Sequence, residues 1–153
     1  AGLRRAAALF AALVFAMALT GGLVAGIRAG YAYNTWPLMN GAWVPPEILM
    51  LEPWWRNFGY NMATVQFVHR TLALVVLGLA LLLAWRVIRE PAVPPAARTA
   101  AWALGAATVA QVVLGIATLL LAVPLSLGAA HQGGAVVVLS AAVWLARSLQ
   151  ASR

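Results

Sequence analysis

The chain has 153 residues, of which 64% are hydrophobic and only 8% are charged, and its net charge is +7. Soluble domains carry about 25% charged residues, so this chain has too few polar groups to cover a surface that faces water. It contains no cysteine, which excludes disulfides, iron–sulfur clusters, thiolate zinc sites and cysteine nucleophiles.

Four apolar stretches are long enough to cross a bilayer, which takes roughly 20 residues per helix. We predict spans at about 6–28, 60–86, 99–123 and 127–146. The fold class is therefore all-α, a polytopic membrane protein that forms a single four-helix domain over residues 1–153. The first stretch is too long for the apolar region of a signal peptide and lacks a clean cleavage site. Because the chain starts at Ala1 and not at methionine, we expect a processed N-terminus or a fragment of a longer protein.

The links between the spans differ in charge. The second link, "REPAVPPAAR" (89–98), is predicted to be a turn because its prolines interrupt both neighbouring helices, and Pro124 separates the last two spans in the same way. The positive-inside rule then places both termini in the cytoplasm and the first link, about 29–59, outside. We interpret the basic charge as membrane topology and expect no nucleic-acid partner. The arginines that support this orientation are Arg4, Arg5, Arg86, Arg89, Arg98, Arg147 and Arg153.

The outward segment 29–59 is long, lacks clear periodicity and contains four tryptophans. A loop of this length is typical of a lid or a binding segment. Tryptophan also favours the headgroup region of a membrane, where an amphipathic ring is stable. A lid and an aromatic belt are therefore both open interpretations. The tryptophans are Trp36, Trp43, Trp54 and Trp55.

Both histidines of the chain, His69 and His131, lie within predicted spans. Their depths are roughly 14 and 8 Å from the outer ends, at a rise of 1.5 Å per residue. Two histidines without a carboxylate or thiolate are a poor zinc site. They suffice as axial ligands of haem, whose porphyrin supplies the other ligands. The small residues of "GAAHQGGA" (128–135) would let a flat ring, or another helix, approach closely. The competing interpretation is a pair of histidines that only form hydrogen bonds between helices.

Arginines near the outer face are candidates to bind haem propionates, because a guanidinium can form two parallel hydrogen bonds with a carboxylate. Arg70, Arg28 and Arg56 are placed for this role. Each is equally suited to snorkel toward lipid phosphate, which makes membrane lipid the competing partner. The acids Glu47, Glu52 and Glu90 lie outside the predicted spans, so no carboxylate is available for a proton relay inside the membrane.

Three motifs closely resemble the haem A synthase family: "YNTWPLM", "VQFVHR" and "QVVLGIATLLLAVPLSLGAAHQ". The resemblance covers nearly the whole chain. It implies a full-length protein of eight membrane helices in two similar halves, each with a histidine pair. The first half takes the substrate haem O, and the second holds haem B as a cofactor. The family oxidises a methyl group of haem O to a formyl group, which yields haem A for terminal oxidases.

This chain resembles the second half, in which His69 and His131 match the axial ligands of haem B. We therefore expect bis-histidine ligation here, haem O in a missing first half, and an electron donor that the resemblance does not identify. The expected location is the bacterial cytoplasmic membrane, with the mitochondrial inner membrane as the other option. A homo-oligomer of such units would be another way to reach eight helices.

Three positions depart from the family pattern. Asn40 and Val68 stand where relatives often have aspartate, and Gln66 matches a first-half glutamate that the resemblance implicates in catalysis. Three residues are almost one helical turn, so we predict that Gln66 lies near the face of His69, within the cofactor site. An amide cannot act as a carboxylate base, so the catalytic residues are not identified and this half is expected to hold a cofactor only. The alternative is a free-standing b-type membrane cytochrome that serves only in electron transfer.

Overall fold

The protein, as a computed structural model, is described over residues 2–150, and this part of the chain is helical without strands. Four of its five α-helices are long and apolar enough to cross a membrane, which confirms the prediction of an all-α membrane bundle. Each predicted span end lies within four residues of an observed helix end. The helices are α1 (Gly2–Gly26), α2 (Asn57–Tyr60), α3 (Met62–Arg89), α4 (Pro95–Leu120) and α5 (Leu125–Ser148), with short 3₁₀ turns at Ala29–Tyr31 and Trp54–Arg56.

The first residues of α3 and α4 explain why these helices begin at positions that differ from the predicted span starts. The side chain of Asn61 accepts a hydrogen bond of 3.1 Å from the backbone N–H of Thr64, so α3 begins at Met62. The prediction that all of 89–98 is a turn was wrong, because α4 already begins at Pro95. Proline is favoured in the first helical turn, where its missing N–H would have no partner.

A tight turn joins α4 to α5. The N–H of Val123 donates to the carbonyl of Thr118 at 2.8 Å, and that of Ala122 donates to Leu119 at 3.1 Å. This pair of bonds is the Schellman arrangement that ends helices, and it requires the left-handed backbone that Ala122 adopts with φ 58°. Pro124 then precedes α5, as predicted, so the two helices pack as direct neighbours.

The long helices form a square bundle. Helix α1 packs against α3 and α5, and α4 packs against the same two helices. Consequently α3 and α5 occupy diagonal corners. Successive long helices run in opposite directions, so one end of the bundle carries the start of α1, the α3–α4 link and the end of α5. We call it the basic end, because it carries Arg4, Arg5, Arg86, Arg89, Arg98 and Arg147. The opposite end, with the segment 27–61 and the α4–α5 turn, is the loop end.

The two halves of the bundle are packed differently. At the basic end, buried apolar side chains pack together in a core that includes Phe10, Leu83, Leu104 and Leu145. Toward the loop end, no side chain is buried in 15–28, 67–75, 109–117 or 119–137. The loop-end half therefore encloses fewer side chains than the basic end does.

The segment 27–61 folds over the loop end through polar contacts. Asn57 is fully buried and bonds the backbone N–H and carbonyl of Leu51 at 2.9 and 2.8 Å. Asn34 donates to the carbonyl of Leu119 at 2.9 Å, which fastens the segment to the end of α4. The side chains of Trp43 and Trp54 stay exposed, so the structure shows an anchored loop that carries tryptophans on its surface.

Candidate functional site

His69 lies in α3 with its ring against α1. Its Nδ1 is 2.8 Å from the Oγ1 of Thr20, and this Oγ1 is also 2.7 Å from the carbonyl oxygen of Met17. A Cβ atom at Gly21 would lie 3.3 Å from the Cε1 of the ring, a distance at which neighbours begin to move apart. Helix α1 therefore supplies both a polar partner and the room for one edge of the imidazole.

His131 lies in α5 with its ring against α4. A Cβ atom at Gly115 would lie 2.7 Å from the Cε1 of this ring, so the ring occupies the place that any larger residue would need. Gln111 donates through Nε2 to the backbone carbonyl of His131 at 2.8 Å, which ties the two helices together at this level. The ring approaches the backbone carbonyl of Gln111, yet Nδ1 of His131 is buried without a hydrogen bond.

The bundle brings the two histidines together although α3 and α5 are diagonal. Both lie in the loop-end half, and their imidazoles are near enough to influence each other's charge. Within residues 2–150, no group of three or more His, Cys, Asp or Glu side chains could hold a metal. Two imidazoles without a third ligand of these types suit a haem, whose porphyrin would supply the remaining iron ligands.

Gln66 and Arg70 bond to the loop. Gln66 is 2% exposed and donates through Nε2 to the carbonyl of Ala29 at 2.8 Å. Arg70 donates through Nη2 to the Oε1 of Gln66 at 3.0 Å and to the carbonyl of Tyr33 at 2.6 Å, and through Nη1 to that of Thr35 at 2.9 Å. Both side chains therefore anchor the start of the loop to α3. A role for either in binding the cofactor stays a prediction.

Arg28, the third predicted propionate ligand, lies just after α1 in a left-handed conformation with φ 56°. It is exposed and lines an open cavity of about 420 Å³ together with Tyr31, Ala32 and Met62. Neither histidine lines this cavity. The structure thus places Arg28 at the exposed rim of the loop end, and its contact with a propionate stays a prediction.

A tyrosine–glutamate pair in the loop was not predicted from the sequence. Tyr33 is buried and donates to the Oε2 of Glu47 at 2.7 Å. Burial, together with this bond to a carboxylate, raises the pKa of Tyr33 to about 12, so the phenol stays protonated as a donor. The pair lines a second open cavity of about 370 Å³. Because Arg70 bonds the backbone of Tyr33, the pair belongs to the loop anchor.

Thr20, Gln111 and Gly115 also contact the histidines but were missed. Thr20 and Gln111 are polar residues inside apolar spans, and intramembrane polar groups usually have a function. That signal was present in the sequence. The sequence did not indicate which histidine each residue meets, because Thr20 and His69 are 49 positions apart. Gly115 carried no distinguishing signal among the small residues of α4.

The fold and this site define a multi-pass membrane protein with a paired-histidine site inside a four-helix bundle. Residues 1–143 match the family described as "Cytochrome oxidase assembly protein". The chain belongs to that family.

Several named relatives are similar to this chain over nearly its whole length. The chain is 50% identical over 149 residues to a protein named "Heme A synthase" from Nitrosospira multiformis, covering 97% of this chain and 42% of that protein. Similar proteins of the same name are found in Nitrosomonas eutropha, with 45% identity over 96% of this chain and 41% of the relative, and in Parvibaculum lavamentivorans, with 48% over 94% and 40%. The chain thus spans about two fifths of these relatives' length. No solved structure matches it.

Proposed function

We propose that this chain holds one haem B between His69 and His131 and acts as the haem B half of a haem A synthase. The observation that carries the proposal is that both histidines lie in the loop-end half, on different helices, with imidazoles near enough to influence each other's charge. Relatives named "Heme A synthase", which are 45–50% identical over nearly the whole chain, support it. The role that we propose for this chain is in one step of haem A biosynthesis, which takes place in a membrane.

His69 and His131 would together hold the haem, which would supply single-electron transfer and would leave no free position for oxygen. The chain's own residues hold it in place. His69 is held by Thr20 of α1, and His131 is seated over Gly115 of α4. The glycines Gly21 and Gly115 leave space for the rings, and the apolar helices exclude water around them. These residues bind and orient a cofactor, and none of them is arranged to attack a substrate.

The oxidation of haem O is assigned to a partner half. All three glutamates, Glu47, Glu52 and Glu90, lie outside the four long helices, so this bundle has no carboxylate to assist the chemistry. The amide of Gln66 is already bonded at both ends, to Ala29 and to Arg70. We propose that a second four-helix unit, in a longer chain or another copy, binds haem O, and that a separate donor supplies electrons.

The purified chain is expected to bind haem B with the absorption spectrum of low-spin, six-coordinate iron, but not to convert haem O into haem A. The measurement supplies the chain with haem O and a reductant, followed by chromatography of the extracted haems. Gln66→Glu is also expected to be inactive, because the substrate site would still be missing. A full-length relative named "Heme A synthase" is the positive control. Haem A formed at a catalytic rate by the isolated chain would overturn the division of labour, and failure to bind haem B would overturn the function itself.

Orientation provides a second prediction, since we propose that both termini face the cytoplasm and the loop end faces outward. The chain has no native cysteine. A single introduced thiol therefore shows unambiguously on which side of the membrane its position lies. Cysteine at Val44, which is exposed in the loop, is expected to react with a membrane-impermeant reagent added to intact cells. Cysteine at the exposed Ala92 is expected to react only after the membrane is opened. Labelling in the opposite pattern would reverse the orientation.

A further inference from the structure

We infer that Thr20 is a positioning residue for His69, whose ring it orients and whose proton it fixes on Nδ1, so that Nε2 is free to bind iron. The inference rests on the proposed haem function and concerns a contact between α1 and α3 that the sequence did not indicate. It is carried by two neighbours of the imidazole ring, Thr20 and Gly21, together with the acceptor that Met17 offers to Thr20.

The first constraint is the count of protons. The hydroxyl of Thr20 has one proton, and the carbonyl oxygen of Met17 lies 2.7 Å away as an acceptor. The sulfur of Met17, at 3.7 Å, is a weaker acceptor on the same residue. A hydroxyl that donates to Met17 accepts from the Nδ1 of His69 at 2.8 Å. This arrangement makes two hydrogen bonds, whereas donation to Nδ1 would make only one.

The second constraint is the tautomer that follows. A neutral imidazole carries its proton on one nitrogen only. With the proton on Nδ1 and shared with Thr20, the Nε2 lone pair is available to a metal. Ligating histidines almost always donate their other N–H to a fixed acceptor, which orients the ring and raises the basicity of the ligand. In this chain a threonine hydroxyl of the neighbouring helix fills that role.

The third constraint is the space for the ring. Gly21, next to Thr20, leaves the edge of the imidazole in contact with the α1 backbone, where a Cβ atom would lie 3.3 Å from Cε1. The hydrogen bond and the close approach together hold the ring against α1. His131 differs, because its Nδ1 is buried without a hydrogen bond. Of the two histidine rings, only that of His69 has a side-chain hydrogen-bond partner among the described residues.

The test separates the hydroxyl from the methyl group of Thr20. Thr20→Val keeps the shape and removes the acceptor, whereas Thr20→Ser keeps the acceptor and removes the methyl group. We expect Thr20→Val to weaken haem affinity by roughly 10–100-fold, as loss of such a partner usually does. We also expect it to raise the midpoint potential, since a less basic ligand stabilises ferric iron less. The electron paramagnetic resonance g-values of the ferric haem should shift as well, and Thr20→Ser should retain wild-type values.

Thr108→Val is the matched control. Thr108 is buried in α4 and bonds the carbonyl of Leu104 at 2.8 Å, with no histidine among its hydrogen-bond partners. It is expected to leave affinity, potential and g-values unchanged. Wild-type affinity, potential and g-values in Thr20→Val would overturn the inference. If Thr20→Val keeps these wild-type values while Thr20→Ser loses them, the methyl group and its packing are the cause, and the inference is also overturned.

His69→Ala distinguishes a failure of the proposed haem function from a failure of the positioning role of Thr20. If it leaves the haem spectrum unchanged, the proposed function fails, and the role of Thr20 fails with it. If it abolishes the spectrum while Thr20→Val has no effect, only the positioning role is wrong. Circular dichroism of each variant, measured without haem, shows whether the helical bundle has formed. A variant of Thr20 that does not fold would assign the residue to packing and would also count against the inference.

Discussion

Replacing His69 or His131 by alanine is expected to abolish the spectrum of low-spin, six-coordinate haem, and replacing both is expected to abolish haem binding. Each imidazole is proposed to supply one axial ligand, so a single replacement leaves five-coordinate iron and weaker retention of the haem. The described residues offer no third His, Cys, Asp or Glu close to the pair, so no neighbouring side chain of these types can take over. Absorption spectra and the haem-to-protein ratio measure both effects.

Matched controls lie within two residues of each ligand in the chain. Thr71 follows Arg70 on α3 and Gln132 follows His131 on α5, and both side chains are exposed. Thr71→Ala and Gln132→Ala are expected to retain the wild-type spectrum and haem content. A single histidine variant that keeps the six-coordinate spectrum would remove that residue from the ligand set. A double variant with full haem content would contradict the site as a whole.

The second large effect is expected from Gly115→Ala. The new Cβ atom would lie 2.7 Å from the Cε1 of His131 and 3.3 Å from its Nε2, so the imidazole must turn away. We expect the haem spectrum to be lost or converted to a five-coordinate form while the bundle stays folded. Alanine is favoured over glycine in a helix by about 1 kcal/mol, which offsets part of the cost of the clash. Helicity and the absorption spectrum, measured on the same sample, separate the two properties.

Gly133→Ala and Gly78→Ala are the controls for this change. A Cβ atom at either position meets nothing within 4 Å. Both variants gain the helix propensity of alanine without disturbing a histidine, so we expect wild-type haem binding and equal or higher thermal stability. If Gly115→Ala behaves like these two controls, the ring of His131 does not lie against α4 as described.

The candidate site was predictable from the sequence only in part. His69 and His131 were identified because ionisable residues inside apolar spans are rare and costly. Arg70 was identified as a candidate propionate ligand, but its observed partners, the carbonyls of Thr35 and Tyr33, lie 35 and 37 positions away in the chain. Gln66 likewise bonds a distant carbonyl of the loop. The path of a loop over the end of a bundle has no local sequence signal, so these partners could not be predicted.

Membrane class, helix number and approximate span ends follow from the sequence by itself, because hydropathy and length act locally along each helix. The same holds for the histidines as candidate ligands. Only the tertiary structure decided that α3 and α5 stand at diagonal corners, that Thr20 meets His69, and that the ring of His131 lies over Gly115. The physical reason is that apolar helices have similar surfaces on all sides. Which faces meet is therefore determined by side-chain packing and a few interhelical hydrogen bonds between residues far apart in the chain.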